Sequence, residues 1–254
     1  MVLSLDRWVG KVAVVTGTSA GIGAAVAEAL VKSGVIVAGL ARRRERTEEL
    51  SKKLSGEKGK LHAVKCDVTK EEDILEAFKW VRENLGPVSI LVNNAGLALA
   101  TTLIDGDSTK WKTLLDTNVL GLCISTRETI KDMKAHNIDG HVIHMNSIGG
   151  QRVVFFPVSN VYPASKFAVT ALAETLRYEI NSQNLKIKIT SVSPGLVDTE
   201  ILQASFGDAF DTGSLDLTCA LRSEDIADAV LYALSTPPHV QVSEVTVQPV
   251  GEKF

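Results

Sequence analysis

Cysteine is scarce in this chain: Cys66, Cys123 and Cys219 are the only three in 254 residues. An odd number excludes a fully paired disulfide framework, and their wide spacing matches no zinc pattern. The expectation is therefore no metal site and a reducing compartment, the cytoplasm. Long apolar runs are absent too. None approaches the ~20 residues needed to span a bilayer. The segment Met1 to Lys11 carries Asp6, Arg7 and Trp8 and lacks the apolar core of a secretory signal. Neither charge sign dominates, with 27 Lys and Arg against 30 Asp and Glu, so the net charge is −3. That leaves no basic footprint for nucleic acid, and partners of that kind, like membranes, are not expected. No internal repeat, low-complexity tract or linker divides the chain. What is plentiful is apolar: 45% of residues are hydrophobic, enough to bury a large core in one domain spanning 1–254.

Apolar strands alternate with amphipathic helices from end to end. The pattern predicts a doubly wound α/β fold, with a central parallel sheet of about seven strands covered by helices on both faces. Strands are predicted at 12–16, 35–41, 60–67, 89–93, 140–146, 186–193 and 242–247. Helices are predicted at 22–32, 45–54, 70–84, 111–134, 162–181 and 223–234. Thr69 with Glu72 three residues on reads as a capping box opening the third helix, and Ser223 as the cap of the last. The helix after Trp111 places Trp111, Leu115, Leu122 and Ile130 on one buried stripe, and Asn118 falls on it.

Between the first strand and first helix lies Thr16-Gly-Thr-Ser-Ala-Gly-Ile-Gly23. That context is the one a phosphate-binding turn requires: Gly17 for a sharp turn, Gly21 and Gly23 for close approach of a pyrophosphate and close helix–sheet packing. An NAD site usually places a carboxylate about 20 residues on, at the end of strand two. No Asp or Glu occurs between Ala29 and Arg44; Ala41 is followed by Arg42, Arg43 and Arg44. A guanidinium fork suits a 2′-phosphate, which points to NADP(H) in preference to NAD(H), the bland alternative being a solvated basic patch. Asp67 ends strand three, where a carboxylate can accept from an adenine amino group or simply cap a loop. Asn93-Asn94-Ala95-Gly96 ends strand four at the sheet's carboxyl edge. Its amides can brace the sheet, admit a ribose, or both.

Tyr162 and Lys166 stand four residues apart, on one face of a helix. A free phenol, with a pKa of ~10, is a poor base near neutrality. An ammonium ~4 Å away at an effective dielectric of ~20 contributes at most ~4 kcal/mol, enough to lower that pKa by up to about three units. The phenol can then trade a proton with an alcohol or carbonyl. Ser147 ends strand five at the same carboxyl edge, within reach of a substrate oxygen beside Tyr162. Asn118 has two readings, a satisfied core amide at a helix bend near Gly121 or an amide holding a water in line with Lys166.

These residues together resemble the short-chain dehydrogenase/reductase family in its compact, single-domain type. The resemblance runs from Lys11 to about Val247. It rests on Thr16 to Gly23, Asp67-Val68, Asn93 to Gly96, Asn118, Ser147, Tyr162-Pro-Ala-Ser-Lys166 and Ser193-Pro-Gly195. It implies a Rossmann fold with Tyr162 as the acid/base. Lys166 would bind the nicotinamide ribose and lower the phenol's pKa, Ser147 would orient the carbonyl, and Asn118 would hold a relay water. For NADP(H) it implies contacts from Gly17, Thr18, Ser19, Gly21, Ile22, Gly23, Arg42, Arg43, Asp67, Val68, Asn94, Ala95, Gly96, Tyr162 and Lys166. Pro194, Gly195, Val197 and Thr199 would frame the nicotinamide. Asn94-Ala-Gly-Leu-Ala98, Tyr162 to Leu172 and Leu234-Ser-Thr-Pro237 also resemble the branch holding insect farnesol dehydrogenases and vertebrate cytosolic ketosteroid reductases.

The implied reaction interconverts an apolar alcohol, such as farnesol, and its aldehyde or ketone. The alternatives are reduction of steroid or dicarbonyl substrates and, from another class, an NADPH-sensing regulator without turnover. Apolar residues that could line the substrate mouth are Leu97, Leu99, Leu103, Val153 to Pro157, Ile201, Leu202, Phe206, Phe210, Leu215 and Leu217. The resemblance also implies a homodimer or homotetramer, with the helices after Trp111 and Tyr162 as candidate interfaces.

Overall fold

A computed structural model describes residues 3–153, 161–201 and 219–251. Seven strands form one parallel sheet: β1 (Val12–Thr16), β2 (Ile36–Ala41), β3 (Lys60–Lys65), β4 (Val88–Asn93), β5 (His141–Met145), β6 (Lys188–Pro194) and β7 (Glu244–Val247). Their order is β3-β2-β1-β4-β5-β6-β7. The helices are α1 (Gly21–Lys32), α2 (Arg44–Lys53), α3 (Glu71–Asn84), α4 (Ser108–Leu115), α5 (Gly121–Ala135), α6 (Val161–Ser182) and α7 (Ser223–Ser235).

The central strands are shielded along their whole length because both faces of the sheet are covered. Every residue of β1, β4, β5 and β6 is buried. On one face α1, α2 and α7 pack through Val26, Leu30, Leu50 and Val230. On the other α3, α5 and α6 pack through Ile74, Phe78, Ile124 and Ala173. A fully buried side chain such as Phe78 contributes about 1.5–3 kcal/mol, and two such layers hold the sheet rigid. Strand β1 pairs with β2 on one side and β4 on the other. The chain therefore leaves β1 in one direction and returns on its opposite flank, which opens a crevice above the carboxyl ends of β1 and β4.

Three local expectations need correction. The capping box at Thr69 does not form. Helix α3 starts after Lys70, and the Thr69 hydroxyl instead donates to Asp67 Oδ1 at 2.8 Å. At α7 the cap position is Arg222, whose N–H donates to Asp225 Oδ2 at 2.8 Å, with Ser223 the first helical residue. The long helix after Trp111 begins at Ser108, capped by Asp107, and is interrupted by a π-helical segment at Asp116–Leu120. The wider turn shifts the register of everything before it. Leu114 rather than Leu115 is buried, Leu115 is 42% exposed, and Asn118 still points inward at 2% exposure.

Candidate active site

At the end of β1 the chain turns sharply at Gly17, which has a φ of +76°. Asn94, at the end of β4, reaches into that turn. Its Nδ2 donates to Thr16 O at 2.9 Å and Gly17 O at 3.3 Å. The Thr16 hydroxyl accepts from the N–H groups of Asn94 at 3.0 Å and Ala95 at 2.9 Å. A Cβ on Gly23 would lie 2.3 Å from both Gly17 O and Asn94 Nδ2, so the loop closes on Asn94 only because Gly23 has none. Thr18 turns away from the crevice, its hydroxyl 3.1 Å from that of Thr47.

Above these strand ends lies a cleft of about 710 Å³. It is lined by every residue singled out from the sequence for cofactor or catalysis except Thr18, Gly23 and Asn118. Thr18 and Gly23 lie beneath the glycine loop, and Asn118 lies behind the opposite wall. The cleft is polar at both ends. At one, Arg42 and Arg43 follow β2, and Arg43 Nη2 donates to Ser19 Oγ at 3.3 Å. Arg44 turns away along its own helix to Glu48, at 2.7 Å.

The other end holds the titratable groups. Ser147 Oγ accepts from Gly149 N at 3.0 Å, which fixes the hydroxyl against the turn after β5 and leaves its hydrogen free to donate. Tyr162 and Ser147 are hydrogen-bonded, and this bond favours the phenolate. Burial opposes it more strongly and pushes the Tyr162 phenol above its ordinary value. The Lys166 ammonium is buried, which pulls it down to about 8. It donates to Met145 O at 2.9 Å and stands 5.7 Å from the centre of the Tyr162 ring. Lysine and tyrosine thus meet as expected, but the phenol is not lowered in this arrangement. The ammonium is directed at a strand-end carbonyl, and desolvation of the phenol outweighs the Ser147 hydrogen bond.

The side-chain amide of Asn118 finds its partners within the protein. Its Oδ1 accepts from Leu97 N at 2.9 Å, and its Nδ2 donates to Leu97 O at 2.9 Å and Ser165 Oγ at 3.0 Å. Ser165 donates in turn to Tyr162 O at 2.7 Å. The π-helical segment aims this amide, which joins the chain after β4 to the first turn of α6. Sequence reading missed Thr16, Met145 and Ser165. The buried position of Ser165 between Tyr162 and Lys166 was a usable signal, whereas Met145 acts through its backbone and left none. Of the apolar mouth, Leu97, Leu99 and Ile201 line the cleft and Leu103 is 66% exposed outside it. Val153 is also exposed, while residues 154–157, Leu202, Phe206, Phe210, Leu215 and Leu217 lie outside the described residues.

The arrangement fits a nicotinamide dinucleotide, NAD(P). Helix α1 begins at the cleft with no side chain capping its first N–H groups, which are left for an anion. Ser19 and the two arginines supply further donors at that end, and Lys166, Tyr162 and Ser147 supply donors at the other. Among the described residues no group of His, Cys, Asp and Glu is placed to hold a metal ion, and no helix is long and apolar enough to cross a membrane.

The family model for short chain dehydrogenase matches residues 11–209. Farnesol dehydrogenase of Aedes aegypti is 52% identical over 252 residues, covering 98% of this chain and 100% of the relative. Dehydrogenase/reductase SDR family member 11 of Mus musculus is 46% identical, covering 96% of each chain. Among solved structures, the closed form of serine dehydrogenase complexed with NADP+ superposes with a TM-score of 0.86 at 30% identity and covers 96% of each chain. An alcohol dehydrogenase from the archaeon Thermococcus sibiricus, complexed with 5-hydroxy-NADP, gives 0.82 at 29%, covering 96% of this chain and 98% of that one. With the glycine turn, the strand order and the matched length all in agreement, this chain belongs to the short-chain dehydrogenase family and is an oxidoreductase acting on CH–OH groups.

Proposed function

We propose that the chain is a single NADP(H)-binding unit that interconverts an apolar alcohol, such as farnesol, and its carbonyl product, with Tyr162 as the acid/base. The observation that carries this reading is one cleft with Arg42 and Arg43 at one end and Ser147, Tyr162 and Lys166 converging at the other. The uncapped start of α1 and Ser19 would hold phosphate between them, and Lys166 would hold a ribose hydroxyl. The nicotinamide, when bound, supplies or accepts the hydride.

For the protein's own groups, Ser147 donates to the substrate oxygen and orients it. Tyr162, a phenol that burial pushes still further above neutrality, gives its proton to that oxygen during reduction. Oxidation of an alcohol needs the phenolate. The Ser147 hydrogen bond and a Lys166 ammonium turned from Met145 both favour it. Leu97, Leu99 and Ile201 exclude water and receive an apolar chain. The name carried by the Aedes aegypti relative supports farnesol as the first alcohol to try. A second reading, reduction of steroid or dicarbonyl substrates, is favoured by the protonated phenol. A homo-oligomer is part of the proposal. Leu115, Leu120 and Phe167 expose apolar surface on the long helix and α6, which supports an interface there.

The test follows absorbance at 340 nm with farnesol and either NADP+ or NAD+. Reduction that is faster with NADP+ and lost in Tyr162→Phe, with NADPH binding retained, supports the proposal. Normal turnover by that variant sinks the assignment of Tyr162.

A further inference from the structure

One acidic side chain stands where the proposed cofactor reading needs only bases. Glu200, one residue past the cleft-lining Thr199, sends its carboxylate across the cleft mouth to the start of α2. Arg46 Nη1 contacts both of its oxygens, at 2.7 and 3.0 Å, and Arg43 Nη2 contacts Oε2 at 3.0 Å. The same Arg43 Nη2 touches Ser19 Oγ on the glycine loop at 3.3 Å. Arg43 is therefore held from the loop on one side and from Glu200 on the other, inside the cleft that all three line. Arg42 has no ion pair among the described residues.

Resting on the NADP(H) reading, we infer that Glu200 is a cofactor-selectivity residue. Its carboxylate occupies Arg43 and Arg46 as an internal anion and so weakens the hold of this cleft on a 2′-phosphate, without weakening its hold on the same dinucleotide lacking that group. The contacts suit such an exchange. Both arginines and Glu200 are about half exposed, so each pair is individually weak and screened by salt. Hydrogen bonds from Arg46 and then Arg43 hold the Glu200 carboxyl below its ordinary range, so it is charged throughout the neutral region. A dianionic phosphate arriving at Arg43 must displace that carboxylate or share the guanidinium with it. A ribose hydroxyl carries no charge and meets no such competitor. A merely structural ion pair would alter stability but leave the ratio of the two cofactor affinities untouched.

The experiment titrates the full-length protein and its Glu200→Gln variant with NADPH, NADH and 2′-AMP, reading dissociation constants by tryptophan quenching and by calorimetry. The substitution keeps the size of the side chain and removes its charge. NADPH and 2′-AMP are expected to bind the variant about fivefold more tightly, the scale of a solvent-screened ion pair. NADH is expected to change less than about twofold, and the NADPH gain to shrink as salt rises. An unchanged NADPH to NADH ratio, or weaker NADPH binding in the variant, overturns the role given to Glu200. Wild-type protein that prefers NADH would instead refute the NADP(H) reading, while the shift in ratio would still judge Glu200 by itself. Wild-type protein that binds neither dinucleotide overturns both.

Discussion

Replacing Asn118 with Ala distinguishes a brace from a proton relay. Asn118 is 2% exposed, and its amide makes three hydrogen bonds, two of them to the backbone of Leu97. Truncation strands the Leu97 N–H and C=O, which are half-buried, while Ser165 keeps its bond to Tyr162 O. A buried polar group left without its partner costs about 1–3 kcal/mol, and partial access of water places each of these near the low end. Adding a small cavity, Asn118→Ala should lose about 2–3 kcal/mol. For a chain of this size that lowers Tm by roughly 5–10 °C. Asn118→Asp should lose at least as much, because a carboxylate oxygen would then face Leu97 O where an N–H now donates. Urea unfolding followed by circular dichroism reads both variants, with turnover measured in parallel. If either variant stays within about 0.5 kcal/mol of wild type while turnover collapses, the amide is not a brace and the energetic argument fails.

Stability should rise between pH 8 and 9. Lys166 and Lys188 are each pulled down to about 8 by burial, so in this window the folded protein sheds protons that the unfolded chain still binds. The penalty of burying two ammonium groups is relieved as pH rises. Cys66, pushed up to about 12, and Cys123, also raised by burial, work in the opposite sense as the unfolded thiols titrate, and offset part of the rise towards pH 9. Urea midpoints at pH 7.5 and 9 check the sign, and a falling midpoint would refute it. Gly23→Ala should cost about 3 kcal/mol or more and abolish nucleotide binding, since its Cβ would meet the Gly17 carbonyl and Asn94 Nδ2 at 2.3 Å. A variant of wild-type stability would show that the turn can relax. Asp132→Ala leaves the Val88 N–H, now 2.7 Å from Asp132 Oδ2, unpaired at the start of β4. A loss of about 1–3 kcal/mol is expected, with partial recovery in Asp132→Asn, read by thermal unfolding.

The strand–helix alternation was legible because both faces of the sheet are covered, so β1 and β4 read as largely apolar runs, and β5 and β6, though they carry polar residues, are buried throughout. The cleft was legible for a related reason. Its residues sit at strand ends, and strand ends can be counted from apolar runs. What sequence could not show is geometry that breaks a period. The π-helical turn at Asp116–Leu120 moves burial from Leu115 to Leu114, and no residue type announces it. Thr69 followed by Glu72 satisfies a capping pattern, yet Asp67 competes for the hydroxyl and wins. Glu200 and Arg46 are 154 residues apart, and only the fold brings them together. The ammonium beside the phenol was correctly paired with it, but the carbonyl of Met145 lies closer, and burial sets the sign.

Asn94 makes the glycine turn a product of two distant stretches of chain. The turn after β1 owes its shape to an amide that arrives 78 residues later, docking on Thr16 and Gly17 from the end of β4. A fragment ending before β4 could form β1, α1 and β2 and still lack the cradle. Affinity for nucleotide should therefore appear late in folding, after the long-range β1–β4 pairing, and a bound nucleotide should report that this seam has closed.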